Sequence, residues 1–144
     1  MSMRCLKVLD LSENYIGPGA CRAIAETLIL RSKQKLLEKL EHLNLRCSGI
    51  DENGMKDLVK AFKSNRNLKI LNLSRNSLKL DGANLLAEVL PELRLLEVLD
   101  LGSCDCSERG ILKIVASLNS SQHLHLKVLL FTSAYFQYWT RATQ

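Results

Sequence analysis

Proline is almost missing from this 144-residue chain, at two residues, and Phe, Trp and Tyr together make up only 5% of it. So few large rings exclude an ordinary mixed core built around aromatic packing. Long apolar runs are missing too. No stretch approaches the roughly 18 residues of a membrane span, and the opening MSMRCLKVLDLSEN meets Asp10 too soon to be a signal sequence. Cysteines occur without a pairing pattern: Cys5, Cys21, Cys47, Cys104 and Cys106 are odd in number and irregularly spaced, which suits a reducing compartment, cytoplasmic or nuclear. Charge of one sign is nowhere gathered into a block, because the 20 Lys and Arg that outnumber 15 Asp and Glu, for a net +5, are interleaved with them. A Gly-rich phosphate loop, HExxH, GxSxG and a paired-carboxylate arrangement are all absent, so neither an enzyme, a cofactor nor a small-molecule substrate is expected.

What the chain has in excess is leucine, at 30 residues, and the leucines are periodic. The segment LKVLDLSENYIGPGACRAIAETL (6–28) recurs at 40–62, 68–90 and 96–118, and a fifth unit begins as LKVLLF at 126–131. From Leu40 to Leu68 to Leu96 the step is 28 residues each time. Numbering each unit from its first leucine, positions 4 and 6 are Leu9 and Leu11, Leu43 and Leu45, Leu71 and Leu73, Leu99 and Leu101, the alternation of one strand face. Positions 16, 19, 20 and 23 are apolar in all four units, from Cys21, Ile24, Ala25 and Leu28 to Ile111, Ile114, Val115 and Leu118, which is helical spacing. Each unit is therefore one strand and one helix.

Three further positions carry a pattern. Position 15 is Gly54, Gly82 and Gly110, with Gly19 one place early, and is expected to relieve backbone strain where the helix starts. Position 9 runs Asn14, Ser48, Asn76, Cys104, where a small side chain satisfies backbone groups at the strand's end. Position 2 alternates Lys7, Glu41, Lys69, Glu97, Lys127, which sets opposite charges side by side in a parallel stack with strands about 4.8 Å apart.

LxxLxLxxNxL followed by a Gly-led amphipathic helix at this period, with Asn alternating against Ser or Cys, resembles the ribonuclease-inhibitor-like class of leucine-rich repeat. That class includes the inhibitor, the sensor regions of NOD-like receptors and the activator of the Ran GTPase. The resemblance implies an α/β solenoid, a horseshoe arc with parallel strands on its concave side and helices on its convex side. It also implies a non-catalytic scaffold that binds another protein, or alternatively an enzyme regulator, either an inhibitor or a GTPase activator.

With positions 4 and 6 inward, positions 3, 5 and 7 point to the concave side. The candidate protein-binding rows are Val8, His42, Ile70, Val98 and Val128, then Asp10, Asn44, Asn72, Asp100 and Leu130, then Ser12, Arg46, Ser74, Gly102 and Thr132. β-branched residues suit strands in any case, so the position 3 row has a structural reading as well. The polar position 5 row has fewer structural reasons to exist. No Trp or Tyr anchor stands in these rows, which argues against a very tight ligand.

A second candidate is the junction 29–39, eleven residues where the next two junctions, KSNRN and PELRL, have five. It is able to lengthen a helix, and Arg31, Lys33, Lys35 and Lys39 make it basic; a tolerated surface insertion is the competing reading. Nucleic acid is disfavoured as a partner, since the basic residues are scattered among acids and lack stacking aromatics. Metal is disfavoured as well: Cys104 and Cys106 fall at turn and core positions, and no second ligand pair stands at a zinc spacing from them or from His42. The repeats occupy residues 1–131. The tail 132–144 departs from the pattern and holds Tyr135, Phe136, Tyr138 and Trp139, either an improvised cap or, as both ends suggest, a sign that the chain is a fragment or variant of a longer repeat protein.

Overall fold

The structure is a computed structural model that describes residues 6–33, 40–120 and 125–131. Strand and helix alternate along it: β1 (Val8–Asp10), α1 (Gly17–Lys33), β2 (His42–Asn44), α2 (Glu52–Ser64), β3 (Ile70–Asn72), α3 (Lys79–Val89), β4 (Val98–Asp100), α4 (Ser107–Ser120) and β5 (Val128–Leu130). The five strands form one parallel sheet in the order β1-β2-β3-β4-β5. Each helix packs on the next, α1 on α2, α2 on α3 and α3 on α4. The result is the leucine-rich-repeat solenoid, an open arc of strands backed by helices.

Register is position to position. Val8 pairs His42, which pairs Ile70, then Val98, then Val128, and the leucine after each does the same. A leucine at position 4 is thus stacked on leucines, and Leu43, Leu71 and Leu99 are at most 1% exposed. Burying such a side chain is worth about 1.5–3 kcal/mol. The helical set closes over them, with Met55, Leu58, Phe62, Ala83, Leu86, Leu90 and Ile114 all fully buried. Leu9, Leu11 and Leu129, in the outer layers, are only partly buried.

The alternating charges at position 2 meet as their order predicts. Glu41 lies 2.7 Å from Lys69 Nζ and 3.8 Å from Lys7 Nζ, and Glu97 lies 2.9 Å from Lys127 Nζ. Position 9 forms a second ladder. Asn76 Nδ2 donates to the carbonyls of Leu45, Leu73 and Ser74, while its Oδ1 accepts from the N–H groups of Ser48 and Ile50 in the preceding repeat. Ser48 Oγ donates back to Leu11 O at 3.0 Å, and Cys104 Sγ to Leu73 O at 2.9 Å.

The position 15 glycines do something other than relieve strain. Gly54, Gly82 and Gly110 sit in the first turns of α2, α3 and α4 without left-handed backbone. A Cβ on Gly54 would lie 2.9 Å from Cys21 Sγ, and one on Gly110 would lie 2.7 Å from Ala83 Cβ. These glycines let neighbouring helices approach each other. Left-handed backbone recurs instead at position 8, where Glu13, Cys47, Arg75 and Ser103 have φ between 51° and 59° and glycine never occurs, and again at positions 10 and 12, at Gly49 and Asp105 and at Gly17, Lys79 and Ser107. Each of the position 8 residues costs about 1–2 kcal/mol. The turn aims the N–H sideways, so that Glu13, Cys47 and Arg75 donate to the carbonyls of Arg46, Ser74 and Gly102 in the following repeat, at 2.7–2.9 Å. Strain within a repeat is offset by bonding between repeats.

Helix α1, at 17 residues, is the longest of the four, so the insertion does lengthen a helix, as far as Lys33. Arg31 and Lys33 lie on that backbone, whereas Lys35, Lys39, Thr132 and the tail 132–144 fall outside the described residues.

Candidate protein-binding face

Three-residue strands have one inward side chain and two outward ones. In β2, β3 and β4 the central leucine is buried and both neighbours are partly accessible. The apolar row at position 3 follows directly: Val8, 54% exposed, then His42, Ile70, Val98 and Val128, each partly exposed. Register stacks them into one line across all five strands. None of their side chains makes a hydrogen bond among the described residues, so the line is accessible surface without an internal polar role.

The position 5 row has a structural role that its polarity did not disclose. Oδ1 of Asp10, Asn44, Asn72 and Asp100 accepts the N–H of the residue two places on, Ser12, Arg46, Ser74 and Gly102, at 2.9–3.1 Å. Four identical Asx turns end the four strands. The remaining atoms of the row still face the surface: Asn44 Nδ2 donates to Asp10 Oδ2 at 3.0 Å. Hydrogen bonds from the Ser12 hydroxyl and N–H, and then from Asn44, hold the Asp10 carboxyl below its usual range.

At position 7 the placements diverge. Ser74 is buried and its hydroxyl donates to Asn72 Oδ1 at 2.7 Å, and Gly102 is buried beside it, so neither offers contact surface. Ser12 is partly exposed with its hydroxyl on Asp10, and the Arg46 guanidinium is paired with Glu13. Beyond them lies a rim of exposed position 8 residues, Glu13, Cys47, Arg75 and Ser103. Tyr15, which the alternation of strand positions could not single out, joins this rim. It is 87% exposed and its ring lies over Gly49, where φ is +70° and an added Cβ would come within 2.6 Å of the ring. The signal was local: a tyrosine at position 10 opposite a glycine at position 10 of the next repeat.

Cys21, Cys104 and Cys106 belong to the interior, in contrast to the exposed Cys47. Cys104 is 2% exposed and Cys106 5%. Hydrogen bonding with Cys106, together with burial, pushes the Cys104 thiol far up, and burial beside the charges of Asp51 and Asp57 raises Cys21 to about 11. Such thiols stay protonated and unreactive at neutral pH. Among the described residues no three His, Cys, Asp or Glu side chains converge on a point, and no helix is long and apolar enough to cross a membrane.

Comparison with known proteins agrees with the repeat geometry. The family profile described as "Leucine Rich repeat" matches residues 2–25, 37–59 and 64–87. The chain is 31% identical over 121 residues to NACHT, LRR and PYD domains-containing protein 13 of Homo sapiens, covering 84% of this chain and 11% of that protein. It is 38% identical over 91 residues to ribonuclease inhibitor of Mus musculus, covering 63% of this chain and 19% of the inhibitor. NACHT, LRR and PYD domains-containing protein 14 of Mus musculus is 32% identical over 117 residues, 81% of this chain and 11% of that protein. The chain therefore spans between about a tenth and a fifth of the length of these relatives.

Proposed function

The chain belongs to the leucine-rich repeat family, in its ribonuclease-inhibitor-like class, and from that premise we propose that it is a non-catalytic module that binds a partner protein through its concave sheet. The observation that carries this reading is the unbroken line of Val8, His42, Ile70, Val98 and Val128, kept in register and left accessible across five strands. A preformed apolar strip on a rigid sheet binds without ordering costs of its own. Beside it run the acidic and amide groups of Asp10, Asn44, Asn72 and Asp100, and beyond these Arg75, Tyr15 and the Glu13–Arg46 pair make the polar rim that surrounds an interface core.

The test follows from the hydrogen bonds. Substituting the position 5 row would also undo four strand-ending turns, whereas the position 3 side chains can be charged without removing a hydrogen bond. Partners recovered by the wild-type chain should be lost by the triple variant Val8→Lys, Ile70→Lys, Val98→Lys. They should be kept by Leu112→Lys, which changes an exposed residue of α4 on the convex side. Recovery unaffected by the triple variant, with its circular dichroism unchanged, would place binding elsewhere.

The similarity to ribonuclease inhibitor supports a second reading, an enzyme regulator that acts by docking over an active site. Titrating a pancreatic-type ribonuclease with the chain tests it. Inhibition that saturates at one chain per enzyme would favour it, and unchanged turnover at large excess would remove it.

A further inference from the structure

The first two repeats close their position 5 groups on each other, whereas the third and fourth leave theirs open. In all four, Oδ1 is engaged in the strand-ending turn, which leaves one further polar atom on each side chain. Asn44 Nδ2 donates to Asp10 Oδ2 at 3.0 Å, so that donor and that acceptor satisfy each other. Asn72 and Asp100 are an amide and an acid in register as well, yet Asn72 Nδ2 and Asp100 Oδ2 have no hydrogen-bond or ion-pair partner among the described residues. Both residues are partly exposed, and both stand on strands that have a described strand on either side, so the opening lies within the sheet and not at its edge.

The surroundings leave the pair accessible. At position 3, Ile70 and Val98 lie side by side, apolar and partly exposed. At position 7, the Ser74 hydroxyl is turned onto Asn72 Oδ1 at 2.7 Å and Gly102 has no side chain, whereas repeat two carries the partly exposed Arg46 there. On β5 the register partner of Asp100 is Leu130, which has no polar side-chain group to offer it. A ligand that displaces water from this spot must replace the water's bonds to one donor and one acceptor. Arginine and lysine carry donors alone and would leave Asn72 Nδ2 unpaired, and a carboxylate would face the charge of Asp100. A carboxamide carries both kinds of group, an oxygen that accepts from Asn72 Nδ2 and an NH2 that donates to Asp100 Oδ2.

We infer that Asn72 and Asp100 form the specificity site of the concave face, and that it takes a carboxamide side chain, Asn or Gln, from an apolar stretch of the partner protein whose flanking residues lie on Ile70 and Val98. This rests on the concave-face reading above and adds which group of the partner is read. The bond to Asp100 is charge-assisted, and a site with a fixed donor and acceptor rejects a side chain that lacks either complement, because its own groups are then left unpaired.

The test uses the full chain and random twelve-residue linear peptides displayed on phage as the probe. Peptides are selected on the wild-type chain after removal of those that bind the triple variant Val8→Lys, Ile70→Lys, Val98→Lys, which leaves binders of the concave line. The survivors should share an Asn or Gln with apolar neighbours. In fluorescence anisotropy with synthetic copies, replacing that residue by Glu or by Leu should weaken binding at least tenfold. Asn72→Asp and Asp100→Asn should each do the same with circular dichroism unchanged, since both keep Oδ1 for the turn and both residue types already serve at position 5. Leu112→Lys on α4 should leave the affinity as it is. Asn72→Asp also sets two acceptors side by side, so it should bind a peptide with Lys in place of the Asn or Gln at least tenfold more tightly than the wild-type chain does, a reversal that a merely structural role would not produce. Survivors without a shared carboxamide, or survivors indifferent to both the Asn72 and the Asp100 variant, would overturn the inference and leave the concave-face reading standing. No survivors at all would remove both.

Discussion

A single buried amide does more for this fold than any one ion pair. Asn76 is 4% exposed and satisfies two N–H groups and one carbonyl of the preceding repeat together with two carbonyls of its own. Removing it leaves several buried backbone groups without partners, each costing about 1–3 kcal/mol. Asn76→Ala should therefore lower stability by about 3 kcal/mol or more, while Asn14→Ala, at an exposed site with two bonds, should cost under about 1 kcal/mol. Chemical denaturation of both variants checks the contrast, and equal losses would refute it. At the same scale position 5 has a structural role beside its place on the surface. Asp10 and Asn44 look like surface groups awaiting a ligand, but the bond from Oδ1 to the N–H two residues on is a local turn that strand alternation does not reveal.

Between elements, the decisive contacts are helix on helix and strand on strand. Gly110 lies where α4 meets α3, and an added methyl would come within 2.7 Å of Ala83 Cβ; Gly19, in the first turn of α1, has nothing within 4 Å of the same point. Alanine in place of glycine favours a helix by about 1 kcal/mol. Overpacking costs about 1–3 kcal/mol. Gly19→Ala should thus raise the melting temperature and Gly110→Ala lower it, although both replace a helical glycine. Along the sheet, Lys69 lowers the pKa of Glu41, Lys127 lowers that of Glu97, and Glu41 raises that of Lys69. The carboxylates therefore contribute stability that is fully present above their ordinary 4.5 and lost as pH falls through the lowered folded values. Lys69 contributes below its ordinary 10.5 and loses that contribution as pH rises through its raised folded value. Melting temperature should hold level between those limits and fall on either side. Lys69→Met should make the acid limb shallower, and an unchanged limb would show that the ladder is without energetic weight.

In the molecule as a whole each repeat touches only its neighbours, so stability is a sum of repeats and interfaces rather than one central core. Layers two and three are sealed on both sides, with Leu43 and Leu71 at 1% and 0% exposure, while Leu9 in the first layer and Leu129 in the fifth are partly open. Native-state hydrogen exchange should therefore show slower exchange for Leu45 and Leu73 than for Leu11. Uniform protection throughout would mean that the stack opens only as one unit.

The periodic leucines determined the architecture without help from tertiary structure, because a strand that buries alternate residues and a helix that buries every third and fourth cannot share a 28-residue unit in many ways. They also determined the order of the position 2 charges and the row of side chains on the open sheet, which depend only on register. Tertiary structure alone decided which of these residues are available. Ser74 and Gly102 lie in a list of outward positions yet are buried, and the position 15 glycines serve close helix packing instead of a turn. The reason is that exposure and close approach depend on distances between repeats, and a pattern read within one repeat contains no such distance.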